Sequence, residues 1–146
     1  MWWDRRGIIH FELLNRNETV TADLYVQQLQ RVHQSLLEQR PALVNRKNVF
    51  LLHDNTRPHT ARLTQENVLE LGWSVLPHPP YSPDLAHSDY HLYRSLQNSL
   101  MGTNFSNEDQ VREFVENFFT SKPGEFYAKG IEELPDKWQQ VIANDG

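Results

Sequence analysis

FLLHDNTRPH, residues 50–59, decides how the chain reads. The apolar run Val49-Phe50-Leu51-Leu52 stops abruptly at His53-Asp54-Asn55. A short run without alternation predicts a strand over 48–53 that is apolar on both faces, as in the buried middle of a mostly parallel sheet. Asp54 then stands at its carboxyl end, where open α/β sheets place their ligands. Downstream, Pro58 suits the first residue of a helix over 58–71, with Ala61, Val68 and Leu71 on one face and Gly72 as its stop. Trp73-Ser74-Val75-Leu76 predicts a strand over 73–76. Upstream, Thr21 is placed to cap a helix over 21–39, in which Tyr25, Leu29, Val32 and Leu36 recur at helical spacing. Residues 2–14 read as a hairpin turning at Asp4-Arg5-Arg6-Gly7.

PHPPYSPD, residues 77–84, holds four prolines in eight positions and predicts a stiff, extended connection. Helices follow over 88–143. Ser88 is expected to cap the first, a second begins near Asn107 with Val111, Phe114, Val115 and Phe118 aligned, and a last one aligns Ile131, Leu134, Trp138, Val141 and Ile142. This order predicts one α/β domain over residues 1–146 with a single core.

The 146 residues are enough for a compact core, and 38% hydrophobic with 23% charged residues reads as globular. There is no cysteine, which removes disulfides and thiolate metal sites. No apolar run is long enough to cross a bilayer, so no membrane partner is expected. The net charge of −5 argues against a self-sufficient duplex-DNA grip, although Arg5, Arg6, Arg57 and Arg62 leave a locally basic face open.

Asp54 and Asp89 are the candidate chemical groups. A helix, a strand and the proline-stiffened return separate them, a path able to bring both carboxylates to one sheet edge. Two hard oxygen ligands there suit magnesium or manganese, and paired ions of that type serve phosphodiester cleavage. Two plainer readings stand beside this one. An Asp-Asn pair after a strand also makes an ordinary turn, and an aspartate in a first helical turn also complements the helix dipole. Spacing alone leaves these open.

HDNTRPHTA (53–61) and LPHPPYSPDLAHSDYHLY (76–93) closely resemble the signature motifs of mariner-family DNA transposases. In that family the second catalytic aspartate lies in the first motif and the third follows with thirty-four residues between them, which matches Asp54 and Asp89, not Asp84. WWDRRGIIHFELL (2–14), Arg40-Pro41, EFYAKGIEELPDKW (125–138) and the terminal NDG extend the likeness across the chain. The resemblance implies a ribonuclease-H-like fold, with a mixed sheet flanked by helices. It implies Mg2+ or Mn2+ held by carboxylates, cut-and-paste chemistry on transposon ends and target DNA, a homodimer in the full-length family, and a nuclear setting set by the substrate. No clear basic localisation signal is visible.

The family's first catalytic aspartate lies on a first, central strand upstream of the WWD hairpin. Relative to the family, the chain is therefore expected to lack that strand and to leave a gap in the sheet. Asp4, at a turn, is a poor substitute. The expectation is a catalytically incomplete fragment of a transposase core. The alternative is a non-enzymatic, transposon-derived remnant that binds DNA or protein weakly. Supporting or DNA-contacting candidates are Asn55, at the active-site turn; Arg57, whose guanidinium suits phosphate; His59, orienting the loop or touching phosphate; and His91. His53, Trp73 and Tyr81 read as packing residues. Three positions depart from the family: Thr56, placed to cap the Pro58 helix; His87, expected to loosen the approach to Asp89; and Tyr93.

Overall fold

Thr21 is extended (φ −100°, ψ 169°) and its hydroxyl accepts from the Leu24 amide at 3.2 Å, so helix α1 (Ala22–Gln39) starts there. Its stripe Tyr25, Leu29, Val32 and Leu36 is buried, and Leu29 is wholly enclosed. Removing the cap with Thr21→Ala should cost about 1 kcal/mol, read as a lower urea midpoint with an unchanged slope; an unchanged midpoint would show that the cap contributes nothing.

The computed structural model describes residues 1–79 and 86–145, without the side chains of residues 89, 141, 144 and 145. Tyr81, Asp84 and most of the expected PHPPYSPD connection lie outside the described residues. In place of one core there are two compact units, Met1–Trp2 with Ile9–Ser82, and Trp3–Ile8 with Pro83–Gly146. The hairpin of β1 (Trp2–Asp4) and β2 (Gly7–His10) is divided between them, its open end in the first and its tip in the second. It stops at His10, short of the expected residue 14.

In the first unit, α1 is followed by α2 (Pro41–Asn45), β3 (Phe50–Leu51), α3 (Arg57–Thr60), α4 (Arg62–Leu71) and β4 (Ser74–Val75). Strands β3 and β4 are parallel, pairing Phe50 with Ser74 and Leu51 with Val75. The core joins the α1 stripe to Leu51, Val68 and Trp73. Gly72 closes α4 at φ 78°, a left-handed position that favours glycine.

Three expectations change here. The described strands form two two-stranded sheets, not one mixed sheet. The 48–53 strand is not buried on both faces, because Leu51 is buried but Phe50 is 58% exposed. The helix over 58–71 is two helices broken at Ala61 (φ −57°, ψ 145°). Side chains compensate for the break: the Thr64 hydroxyl donates to the Pro58 carbonyl and the Gln65 amide to the Thr60 carbonyl.

The second unit holds a π-helical turn, Ser88–Tyr93, running into α5 (Arg94–Leu100), then α6 (Glu108–Ser121), α7 (Gly124–Glu132) and α8 (Leu134–Asp145). Asn107 caps α6 by accepting from the Gln110 amide at 2.9 Å. Trp3, Tyr90, Leu92, Val115, Phe118, Phe119 and Tyr127 are buried. The expected last apolar face is split, with Ile131 on α7 and Leu134 on α8, and Ile142 is 60% exposed.

Candidate functional site

β3 ends at Leu51, three residues before Asp54. Asp54 closes an Asx turn, its Oδ1 accepting the Thr56 amide at 3.1 Å. The same oxygen lies 2.6 Å from His59 Nδ1, and that nitrogen is 3.3 Å from the Asp54 carbonyl. Burial alone would raise the Asp54 carboxyl; the Thr56 amide and hydroxyl and the His59 ring outweigh it and hold the group below the ordinary carboxylate range. The plain turn reading and the chemical reading are thus both met: the turn bonds are what keep a half-exposed carboxylate charged.

Thr56 occupies the cap position of α3, but its hydroxyl makes no capping bond and is drawn to Asp54 instead. Asn55 donates from Nδ2 to the His78 carbonyl at 2.7 Å, tying the turn to the segment after β4. Tyr25 and His53 meet at 2.8 Å between hydroxyl and Nδ1. The His53 and His59 rings stack 4.7 Å apart at 2°. Burial, reinforced by the His59 ring, opposed by Asp54 and reinforced again by His78, pushes His53 down to about 4. These rings, with Asn55, Val68, Leu76 and His78, line a cavity of about 330 Å³.

Arg57 is exposed, with no ion-pair partner among the described residues. The expected basic face is thinner than its sequence: Arg5 pairs with Glu132 at 2.7 Å and Arg62 with Glu66 at 2.8 Å. The first unit is formally neutral, and the second carries the whole net charge of −5.

Asp89 lies in the π-helical turn of the second unit, and its side chain is outside the described part. Its neighbours are anchored. Ser88 does not cap the helix; its hydroxyl accepts from Trp3 Nε1 at 2.9 Å. The Tyr90 hydroxyl donates to the Gly130 carbonyl. His91 bonds through Nε2 to the Phe126 carbonyl at 2.7 Å, and its ring lies 4.2 Å from that of Phe126. Those contacts tie His91 to α7. His87 does not loosen this region: its ring lies 4.6 Å from Trp3, and burial followed by the His91 charge pushes it down to about 4. Among the described residues no three His, Asp or Glu side chains converge as a metal cage.

Sequence reasoning treated Tyr25 and Trp3 as core or strand formers. The available signal was that a buried tyrosine hydroxyl or tryptophan N–H needs a partner.

Asp54, just beyond the carboxyl end of the parallel strand β3, stands where α/β domains place their ligands, and the class of the domain, ribonuclease-H-like, comes from its relatives. Comparison with known proteins names the family. Residues 1–46 match the family model described as transposase (partial DDE domain). The Mariner Mos1 transposase of Drosophila mauritiana is 43% identical over 147 residues, covering all of this chain and 43% of that protein. The human histone-lysine N-methyltransferase SETMAR is 43% identical over 146 residues, again covering all of this chain but 21% of that protein. The chain thus spans less than half the length of both curated relatives. The solved Mos1 transposase catalytic domain with Raltegravir and Mn superposes with a TM-score of 0.95 at 42% identity, covering 99% of this chain and 73% of that one. The chain belongs to the mariner family of transposases, as part of their ribonuclease-H-like catalytic domain.

Proposed function

We propose that this chain is the part of a mariner catalytic core that supplies two of its metal-binding carboxylates, Asp54 and Asp89, for strand cleavage and transfer at transposon ends in the nucleus. The observation that carries the reading is Asp54: a carboxylate at the mouth of β3, held charged by Thr56 and His59. Its donor chemistry fits Mg2+ or Mn2+, which prefer carboxylate oxygen to imidazole. When bound, such ions stabilise the charge that develops on the attacking and leaving phosphate oxygens. The protein's own share is orientation. His59 fixes Oδ1, Asn55 ties down the turn, Arg57 offers a bidentate phosphate contact, and the grip of α7 holds the turn that carries Asp89. The full-length homodimer and both DNA partners, transposon end and target, follow from family membership.

Asp54→Asn should abolish Mn2+ binding, measured by electron paramagnetic resonance on the 146-residue polypeptide, with little change in its unfolding midpoint. Undiminished Mn2+ affinity would refute the site. The two carboxylates matched here are one fewer than the family's three, so the isolated polypeptide is expected to leave transposon-end DNA uncut. Cleavage that disappears in Asp89→Asn would overturn that expectation. A non-enzymatic role, as a transposon-derived module that binds DNA or protein, is the second reading. It is favoured by the occurrence of a 43% identical stretch within a protein named for lysine methylation, and predicts DNA retention without metal dependence.

A further inference from the structure

We propose that Tyr25, with Trp2 behind it, is a positioning residue for the Asp54 carboxylate, acting through the paired rings of His53 and His59. This deepens the metal-site reading above and rests on it.

Tyr25 is 4% exposed within an otherwise aliphatic stripe of α1. Phenylalanine would meet the packing need there, and a buried hydroxyl is costly unless bonded. This hydroxyl is bonded on both sides. Trp2 donates its indole N–H to it; an indole has no acceptor. The tyrosine has one hydrogen, and His53 Nδ1 lies 2.8 Å away to receive it. A ring that accepts through Nδ1 keeps its own proton on Nε2. The direction of the chain is therefore set from the indole inward.

His59 is the second link. Its ring lies 4.3 Å from the Tyr25 ring and stacks on His53. Its Nδ1 faces two oxygens of Asp54, the carboxylate at 2.6 Å and the carbonyl at 3.3 Å, which requires the hydrogen on Nδ1. The parallel rings thus carry their protons on opposite nitrogens. Turning either ring would turn the oxygen that His59 holds. Groups that orient a ligand in this way commonly change metal affinity 10- to 100-fold.

The test compares Tyr25→Phe with Leu36→Val, a core change on the same helix. The readouts are the imidazole 15N spectrum and Mn2+ affinity of the whole chain. Tyr25→Phe should shift the His53 Nδ1 and His59 Nδ1 resonances and weaken Mn2+ binding roughly tenfold. Leu36→Val should lower the unfolding midpoint and leave both readouts in place. If the two variants differ from wild type only in stability, the proposal is overturned. Should Tyr25→Phe not fold, Trp2→Phe removes the donor, keeps an aromatic ring and answers the same question. Asp54→Asn separates the two levels: undiminished Mn2+ affinity in that variant sinks the metal site, while the imidazole spectra still decide the role of Tyr25.

Discussion

Replacing Gly130 by alanine is expected to destabilise the second unit by about 1–3 kcal/mol, the usual cost of overfilling a packed site. Helix propensity argues the other way, since alanine inside a helix is favoured over glycine by roughly 0.5–1 kcal/mol. Packing decides the sign. A Cβ at Gly130 would stand 2.4 Å from His91 Cδ2 and 2.8 Å from Cγ. The ring cannot retreat freely, because Nε2 is bonded to the Phe126 carbonyl and the ring is in contact with Phe126. Moving it also disturbs the residue next but one to Asp89 and the Tyr90 bond to the Gly130 carbonyl. Urea unfolding gives the magnitude, and a double-mutant cycle gives the cause. In a His91→Ala background the same glycine change should be nearly neutral or stabilising, a strong departure from additivity. A wild-type midpoint for Gly130→Ala alone would show that the His91 contact is loose.

Acidification from pH 7 to pH 4.5 is expected to cost more still. His53 and His87 are both held down to about 4, from an ordinary value of 6.5, chiefly by burial. Between those values the unfolded chain takes up protons that the folded chain refuses. Stability is therefore complete above about pH 6.5 and falls as the pH drops toward 4. His87 contributes at most about 3 kcal/mol, and His53, more open to solvent, about half of that. Asp54 adds to the loss only lower down, where its depressed carboxyl is finally protonated. Unfolding curves at half-unit pH steps should show the decline, and His87→Phe, which keeps a ring against Trp3, should flatten much of it. A stability independent of pH between 7 and 5 would mean that both rings are solvated.

Much of the helical framework is legible along the chain. The α1 stripe, the Thr21 and Asn107 caps and the glycine stop at Gly72 are local features, each set by neighbours within one or two helical turns. The two aspartate-bearing motifs are legible for another reason: long segments at a fixed spacing carry the family likeness without any fold. The break at Ala61 was not legible. It depends on Thr64 and Gln65 taking over carbonyls that an unbroken helix would satisfy itself. Nor was the fate of Ser88, whose hydroxyl is claimed by an indole 85 positions away.

The sequence by itself thus determined where α1 and α6 start, where α4 stops, and to which family the chain belongs, because those properties reside in short segments and fixed spacings. Only the tertiary structure decided which ring each carboxylate-bearing turn leans on. It alone showed that Tyr25 is bonded to His53, that His59 holds Asp54, and that His91 fills the space glycine leaves at position 130. Each of these is a partnership whose energy depends on geometry and burial, and none of the three exists until the backbone has brought the partners together.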